Sequence, residues 1–174
     1  MSRFLLQMHG ESGAGKSTLA LAVGRATGAV VLDKDRIKGP LIEGGLDDTL
    51  AGGLTYDTVW LLLQSFLEQG FSVVLDSPAF WPSIPERGRA LAGEAEAEYH
   101  IVEVRCADAV EQERRLTSRM RFAAQPANRA ALAIALARPG LVRELTEPHL
   151  TVDTTRPLGV CLDEVLRYIG HDAG

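Results

Sequence analysis

The stretch Gly10-Glu11-Ser12-Gly13-Ala14-Gly15-Lys16-Ser17-Thr18 fits the pattern G-x-x-x-x-G-K-[ST] at every position. A short apolar run precedes it and a helical run, Leu19 to Val23, follows. In that setting the glycines let successive backbone N–H groups turn inward onto phosphate oxygens, and the positive end of the helix dipole adds to the same place. Lys16 is then expected to reach the β- and γ-phosphates of a nucleoside triphosphate. Ser17 is expected to offer its hydroxyl to Mg²⁺, an ion that prefers oxygen ligands. The whole run from Gly10 to Thr18 is the expected nucleotide-binding set.

Two further segments put carboxylates at the ends of apolar runs. Val73-Val74-Leu75-Asp76 ends in an acid suited to hold the metal directly or through water, although a solvated or helix-capping role explains the same letters. Val30-Val31-Leu32-Asp33-Lys34-Asp35-Arg36-Ile37-Lys38 brings two acids and a later cation together. If Asp35 opens a helix, Lys38 lies one turn on and faces the same cleft. A carboxylate there can accept a proton from an attacking hydroxyl while the cation orients a second substrate. Asp33 and Asp35 both remain candidates for that base, against the roles of turn residue and helix N-cap. Phe80 and Trp81 either wall an acceptor pocket or pack their loop onto the domain. His9, His100, His149 and His171, with Cys106 and Cys161, show no metal-ligand or nucleophile spacing and read as structural or exposed.

These residues need a scaffold that gathers them. Five apolar runs, Phe4 to Met8, Ala29 to Leu32, Val73 to Leu75, Ile101 to Val104 and Leu150 to Val152, read as buried strands. Helical stretches lie between and after them: Ser17 to Ala26, Thr55 to Gln69, Ile84 to Glu98, Asp108 to Phe122 and Leu158 to Ile169. Alternation of this kind predicts a three-layer α/β fold, a parallel sheet of about five strands with helices on both faces. Ligands bind such sheets at the carboxyl ends of the strands, where Gly10 to Ser17, Asp33 to Asp35, Asp76 and Thr154 would converge. Gly39 to Gly53, with five glycines, a proline, Glu43, Asp47 and Asp48, reads as a mobile acceptor-side loop or short helix. The stretch around residues 119–138 reads as a lid, or equally as a surface connection.

At 174 residues, 46% hydrophobic and 24% charged, the chain has the makings of one globular domain, residues 1–174. A net charge of −5 and few aromatics argue against holding a long nucleic acid, so such a partner would enter only through a terminal 5′-hydroxyl. No run is apolar enough to cross a membrane, no signal-peptide core is evident, and a cytoplasmic location is expected.

Gly10 to Thr18, Asp35-Arg36-Ile37-Lys38, Val73 to Asp76 with Arg87 eleven residues later, and Arg115-Leu116-Thr117-Ser118-Arg119 occur in the order of the small P-loop kinases. The chain resembles the group that contains polynucleotide 5′-hydroxyl kinases, zeta toxins, gluconate kinases and chloramphenicol phosphotransferases. The resemblance implies Asp35 as the base toward the acceptor hydroxyl, and a lysine, Lys38, where the group has an arginine. It implies Arg87 on the acceptor side and Arg115 and Arg119 on a lid helix closing over the triphosphate. It also places the turn Val152 to Pro157 beside the adenine. Arg115 and Arg119 share a helix face, yet Glu111, four residues before Arg115, explains that spacing equally well as an ion-pair ladder; Arg121 is a third candidate. The expected activity is transfer of the γ-phosphoryl of ATP, with Mg²⁺, to a hydroxyl of a small-molecule acceptor. A different class remains open, an ATP-binding switch in which occupancy orders the two irregular segments and no acceptor is phosphorylated. No Asn-Lys-x-Asp segment is present for reading guanine.

Overall fold

The computed structural model describes residues 2–118, 132–133, 136–137, 141 and 145–171. Arg119, Arg121 and most of the expected lid lie outside them. The described chain runs β1 (Phe4–His9), α1 (Lys16–Thr27), β2 (Val30–Asp33), α2 (Lys34–Glu43), α3 (Asp48–Glu68), β3 (Val73–Asp76), α4 (Ser83–Glu94), β4 (Glu98–Arg105), α5 (Ala109–Ser118), β5 (Leu150–Asp153) and α6 (Leu158–Tyr168).

The strands form one sheet in the order β2-β3-β1-β4-β5, and every pairing is parallel. Parallel neighbours require crossovers, and the helices supply them on both faces. Strand β1 is central and fully buried, and its side chains alternate between two cores. Phe4, Leu6 and Met8 join Leu19, Val23, Val165 and Leu166 under α1 and α6, whereas Leu5 joins Val59, Leu63, Leu67 and Leu91 under α3 and α4. Burying each such side chain contributes about 1.5–3 kcal/mol, enough to set the register of a sheet whose one-residue slip would reverse every face. The fold is the expected three-layer α/β arrangement.

Three boundaries differ from expectation. Helix α2 starts at Lys34, because Asp33 rather than Asp35 is its N-cap and accepts the Asp35 N–H at 2.9 Å. Helix α3 starts at Asp48, not Thr55, because Asp47 accepts the N–H groups of Thr49 and Leu50 at 2.9 and 3.0 Å. The glycine-rich span 39–53 is therefore the end of one helix and the start of another, joined across residues 44–47. Helix α4 ends at Glu94; Ala97 N–H closes the turn onto Ala92, and Glu98 already belongs to β4.

Candidate functional site

The loop after β1 is shaped by close approach. Gly10 has φ +126°, and a Cβ there would stand 2.1 Å from the Val104 carbonyl oxygen. Only glycine lets the loop leave the sheet so near β4. Lys16 Nζ donates to the Glu11 carbonyl at 2.9 Å, which folds the side chain back over the loop. The loop is braced from two later elements. Gln112 on α5 donates to the Ser12 carbonyl at 3.1 Å and reaches Glu11 Oε2 at 3.4 Å. Thr154, just past β5, donates to the Ala14 carbonyl at 2.7 Å.

Parallel pairing of β2 with β3 sets Asp33 level with Asp76 at the carboxyl end of the sheet. Asp76 is 5% exposed, and burial pushes its carboxyl above the ordinary range, opposed by the charge of Lys16 and by a hydrogen bond from Ser17. Burial also raises Asp33, with the neighbouring Asp76 adding to the effect. Asp76 and Ser17 open together onto a cavity of about 420 Å³, also lined by Ser12, Gly13, Gly15, Lys16 and Thr18. A buried carboxylate beside a hydroxyl is a hard oxygen donor pair, and it fits Mg²⁺ that keeps most of its other ligands from phosphate and water.

Lys34, the first residue of α2, forms an ion pair with Asp35 at 2.5 Å. Burial alone would lower its ammonium, but the charge of Asp35, and with it Tyr56 and Asp76, holds it above the usual value. Tyr56 on α3 is half-buried beside it and shares a hydrogen bond with Ser77 Oγ at 2.9 Å.

A second cavity of about 880 Å³ opens on the other side of this pair. Its walls include Lys38, Asp48, Tyr56, Trp60, Phe80, Trp81 and Arg87. Ser12, Lys34, Asp35 and Pro78 line both cavities. Asp35 therefore stands at the junction of a phosphate-loop cavity and a larger, mostly apolar one.

A family model described as an AAA domain matches residues 5–139. The chain belongs to the AAA domain family. No curated protein sequence matches this AAA domain. Its fold is similar to that of a provisionally named kinase of Chloroflexus aurantiacus, with TM-score 0.75 and 21% identity over 100% of both chains. It is also similar to the Mycobacterium tuberculosis APS kinase CysC in complex with AMPPNP and APS, with TM-score 0.69 and 17% identity over 97% of this chain and 98% of that one. A gluconokinase of Sinorhizobium meliloti matches with TM-score 0.64 and 21% identity over 96% and 91%. These likenesses are of fold, and the fold is that of the small P-loop kinases.

In this AAA domain the expected residues do not all meet. Ser12, Gly13, Gly15, Lys16, Ser17, Thr18, Asp35 and Asp76 gather around the smaller cavity, with Gly10, Glu11 and Ala14 behind them as its frame. Lys38 and Arg87 stand on the larger one. Pro157 lines neither and serves as the N-cap residue of α6. Arg115 borders the smaller cavity, but its guanidinium is engaged: Nε with Glu111 at 2.8 Å, Nη1 with Thr154 Oγ1 at 2.8 Å and Nη2 with the Thr154 carbonyl at 2.9 Å. The ion-pair ladder is thus formed, and the same side chain also ties α5 to the turn after β5.

Sequence reasoning passed over Lys34, Tyr56, Trp60, Gln7 and Gln112. The one available signal was Lys34 sitting between two acids. Gln7 and His9 face the α3 and α4 side of β1. Gln7 Nε2 donates to the Ser77 carbonyl, and His9 Nδ1 accepts the Ala79 N–H at 3.2 Å while its ring meets Phe80 edge-on at 4.9 Å. Buried polar groups on the central strand thereby hold the loop that carries the aromatic wall.

Proposed function

We propose that this AAA domain is a phosphotransferase that moves the γ-phosphoryl group of ATP to a hydroxyl of a small-molecule acceptor. The observation that carries the reading is the shared wall: Asp35 and Lys34 line both the phosphate-loop cavity and the larger cavity beside it. A donor in one and an acceptor in the other would meet at that carboxylate. The solved APS kinase with AMPPNP and APS, and the gluconokinase, have the same fold and support the same division of labour.

In this reading the phosphate loop and Lys16 hold the triphosphate in line, and the acceptor hydroxyl gives its proton to an oxygen of Asp35. The acceptor oxygen bonds to the γ-phosphorus as the bond to the β–γ bridging oxygen breaks, and ADP leaves with that electron pair. Asp33 is the weaker candidate for the base, since it caps α2 and lines only the smaller cavity. Lys34 would keep positive charge beside the transferred group. Ser17 and Asp76 would hold Mg²⁺, which when bound offsets charge on the β- and γ-phosphates.

The test is ATP consumption over a panel of sugars, aminoglycosides, nucleosides, hydroxylated acids and 5′-hydroxyl oligonucleotides, with wild type, Lys16→Ala and Asp35→Asn side by side. A Lys16-dependent rise with one class is expected, and Asp35→Asn should lower kcat by about 10²–10⁴-fold with ATP affinity unchanged. Transfer by Asp35→Asn within threefold of wild type refutes the base. Absence of any Lys16-dependent rise refutes the phosphotransferase.

A further inference from the structure

The larger cavity has a chemical character of its own. Four of the nine aromatic side chains among the described residues line it. Tyr56 and Trp60 stack, with ring centroids 6.0 Å apart and planes 25° from parallel, one helical turn apart on α3. Phe80 and Trp81 come from the loop after β3, held by His9 and Gln7 as described above. Glycines stand where α3 meets the cavity, at Gly52 and Gly53, so no side chain from those positions fills it. Walls of this kind favour a flat, apolar body, because ring faces gain most from stacked or edge-on partners.

The charges decide the rest. Glu43, Asp47 and Asp48 point, in the sequence, to a cationic or hydroxyl-rich acceptor. The structure commits them elsewhere. Asp47 is the N-cap of α3, Asp48 pairs with Lys38 at 2.7 Å, and Glu43 is absent from the described lining. Asp35 pairs with Lys34. The described lining therefore holds two cation–anion pairs and one further cation, Arg87, which has no acidic partner among the described residues. An exposed guanidinium at the rim of an apolar cavity is a ready fork for a carboxylate or a similar planar anion.

We infer that the larger cavity takes an anion with a flat aromatic body, its negative group paired with Arg87 and its rings laid against Tyr56, Trp60, Phe80 and Trp81. The inference rests on the phosphotransferase reading only for the added hydroxyl: the acceptor class is then a hydroxylated aromatic acid.

Binding can be read without catalysis, because the chain has two tryptophans and both line this cavity. The experiment follows the two indole N–H resonances of the ¹⁵N-labelled full chain during titration with four probes. These are para-hydroxymethylbenzoate, the uncharged para-bis(hydroxymethyl)benzene, the cationic para-aminomethylbenzyl alcohol, and gluconate as an anion without a ring. The benzoate is expected to shift both resonances and to bind about tenfold tighter than the neutral diol, with the amine weakest and gluconate leaving the indoles unmoved. Arg87→Gln, on the exposed face of α4, should bring the benzoate down to the diol while thermal stability stays within about 2 °C. Equal binding of diol and benzoate, tighter binding of the amine or of gluconate, or no shift with any probe overturns the inference. So does a benzoate preference that survives in Arg87→Gln. Benzoate binding without Lys16-dependent ATP consumption for any acceptor retains this inference and counts against the phosphotransferase. Lys16-dependent phosphorylation of gluconate or an aminoglycoside, with no response to benzoate, does the reverse.

Discussion

Arg115→Met separates a brace from a catalytic finger. The guanidinium makes two charge-assisted hydrogen bonds to Thr154, at 2.8 and 2.9 Å, and Thr154 in turn donates to the Ala14 carbonyl of the phosphate loop. Each bond of that type is worth about 1.5–3 kcal/mol when well buried. The Arg115 side chain is 25% exposed, and both bonds fall on one residue, so a total of about 1.5–3 kcal/mol is the reasonable expectation. For a chain of this length that is a fall in Tm of about 3–12 °C. Thr154→Val should cost about 1–2 kcal/mol by removing the hydroxyl from both bonds, and the double variant should fall short of the sum by at least about 0.5 kcal/mol. The assays are thermal and denaturant unfolding of the nucleotide-free protein, then steady-state ATP consumption. A brace predicts a raised KM for ATP and a kcat within about tenfold of wild type, whereas removal of a transition-state contact costs about 10²–10³-fold in kcat. An unchanged Tm together with a thousandfold loss of kcat at constant KM would refute the bracing role.

Other consequences of the same geometry are separately measurable. Lys34→Met removes the cation that pairs with Asp35, leaving Asp76 to Lys16 and Asp33 to Arg36, and kcat should fall by about 10²-fold or more; a loss under threefold would show that the ammonium only supports the fold. Asp76 is raised by burial, so the folded state binds its proton more tightly than the unfolded chain, and the penalty sets in as pH rises above the ordinary aspartate value. Asp76→Asn should therefore raise Tm at pH 7 and lose that gain near pH 4 and below, while weakening Mg²⁺-dependent nucleotide binding; a lower Tm at pH 7 would contradict the sign. Gly10→Ala forces a Cβ onto the Val104 carbonyl at positive φ and should cost about 3 kcal/mol or more in denaturant unfolding, with nucleotide affinity lost as well.

What the letters revealed follows from how local the physics is. The Gly10 to Thr18 loop is legible because the proposed hold on phosphate needs only consecutive backbone N–H groups and glycines whose need is local, as at Gly10. Asp76 is legible because an apolar run ending in an acid marks the carboxyl edge of a parallel strand. The segment 39–53 misleads because glycine is a poor helix former, by about 1 kcal/mol against alanine. The caps at Asp33 and Asp47, with burial of Ala51, Val59, Leu63 and Leu67 along α3, outweigh that deficit. Lys34 is only half legible in a linear reading, because its pair with Asp35 is adjacent in sequence while Tyr56 and Asp76 reach it from other elements. Arg115 could not be assigned from its spacing because Glu111 and Thr154 both hold it, and only the first is near in sequence.

The larger cavity has an unusual genealogy within the chain. Apart from Ser12 and three leucines, Leu132, Leu136 and Leu141, every described residue that lines it comes from the continuous stretch between Lys34 and Arg87. The Gly10 to Thr18 loop lies before that stretch, and its braces at Gln112, Arg115 and Thr154 lie after it. Under the proposed function, a single exchange of genetic material across α2 to α4 hands this scaffold a new acceptor preference while the Gly10 to Thr18 loop and its braces pass through unaltered. Retention of Asp76, Lys34 and Asp35 within the exchanged stretch is the condition for that inheritance, and it gives protein engineers a natural place to cut.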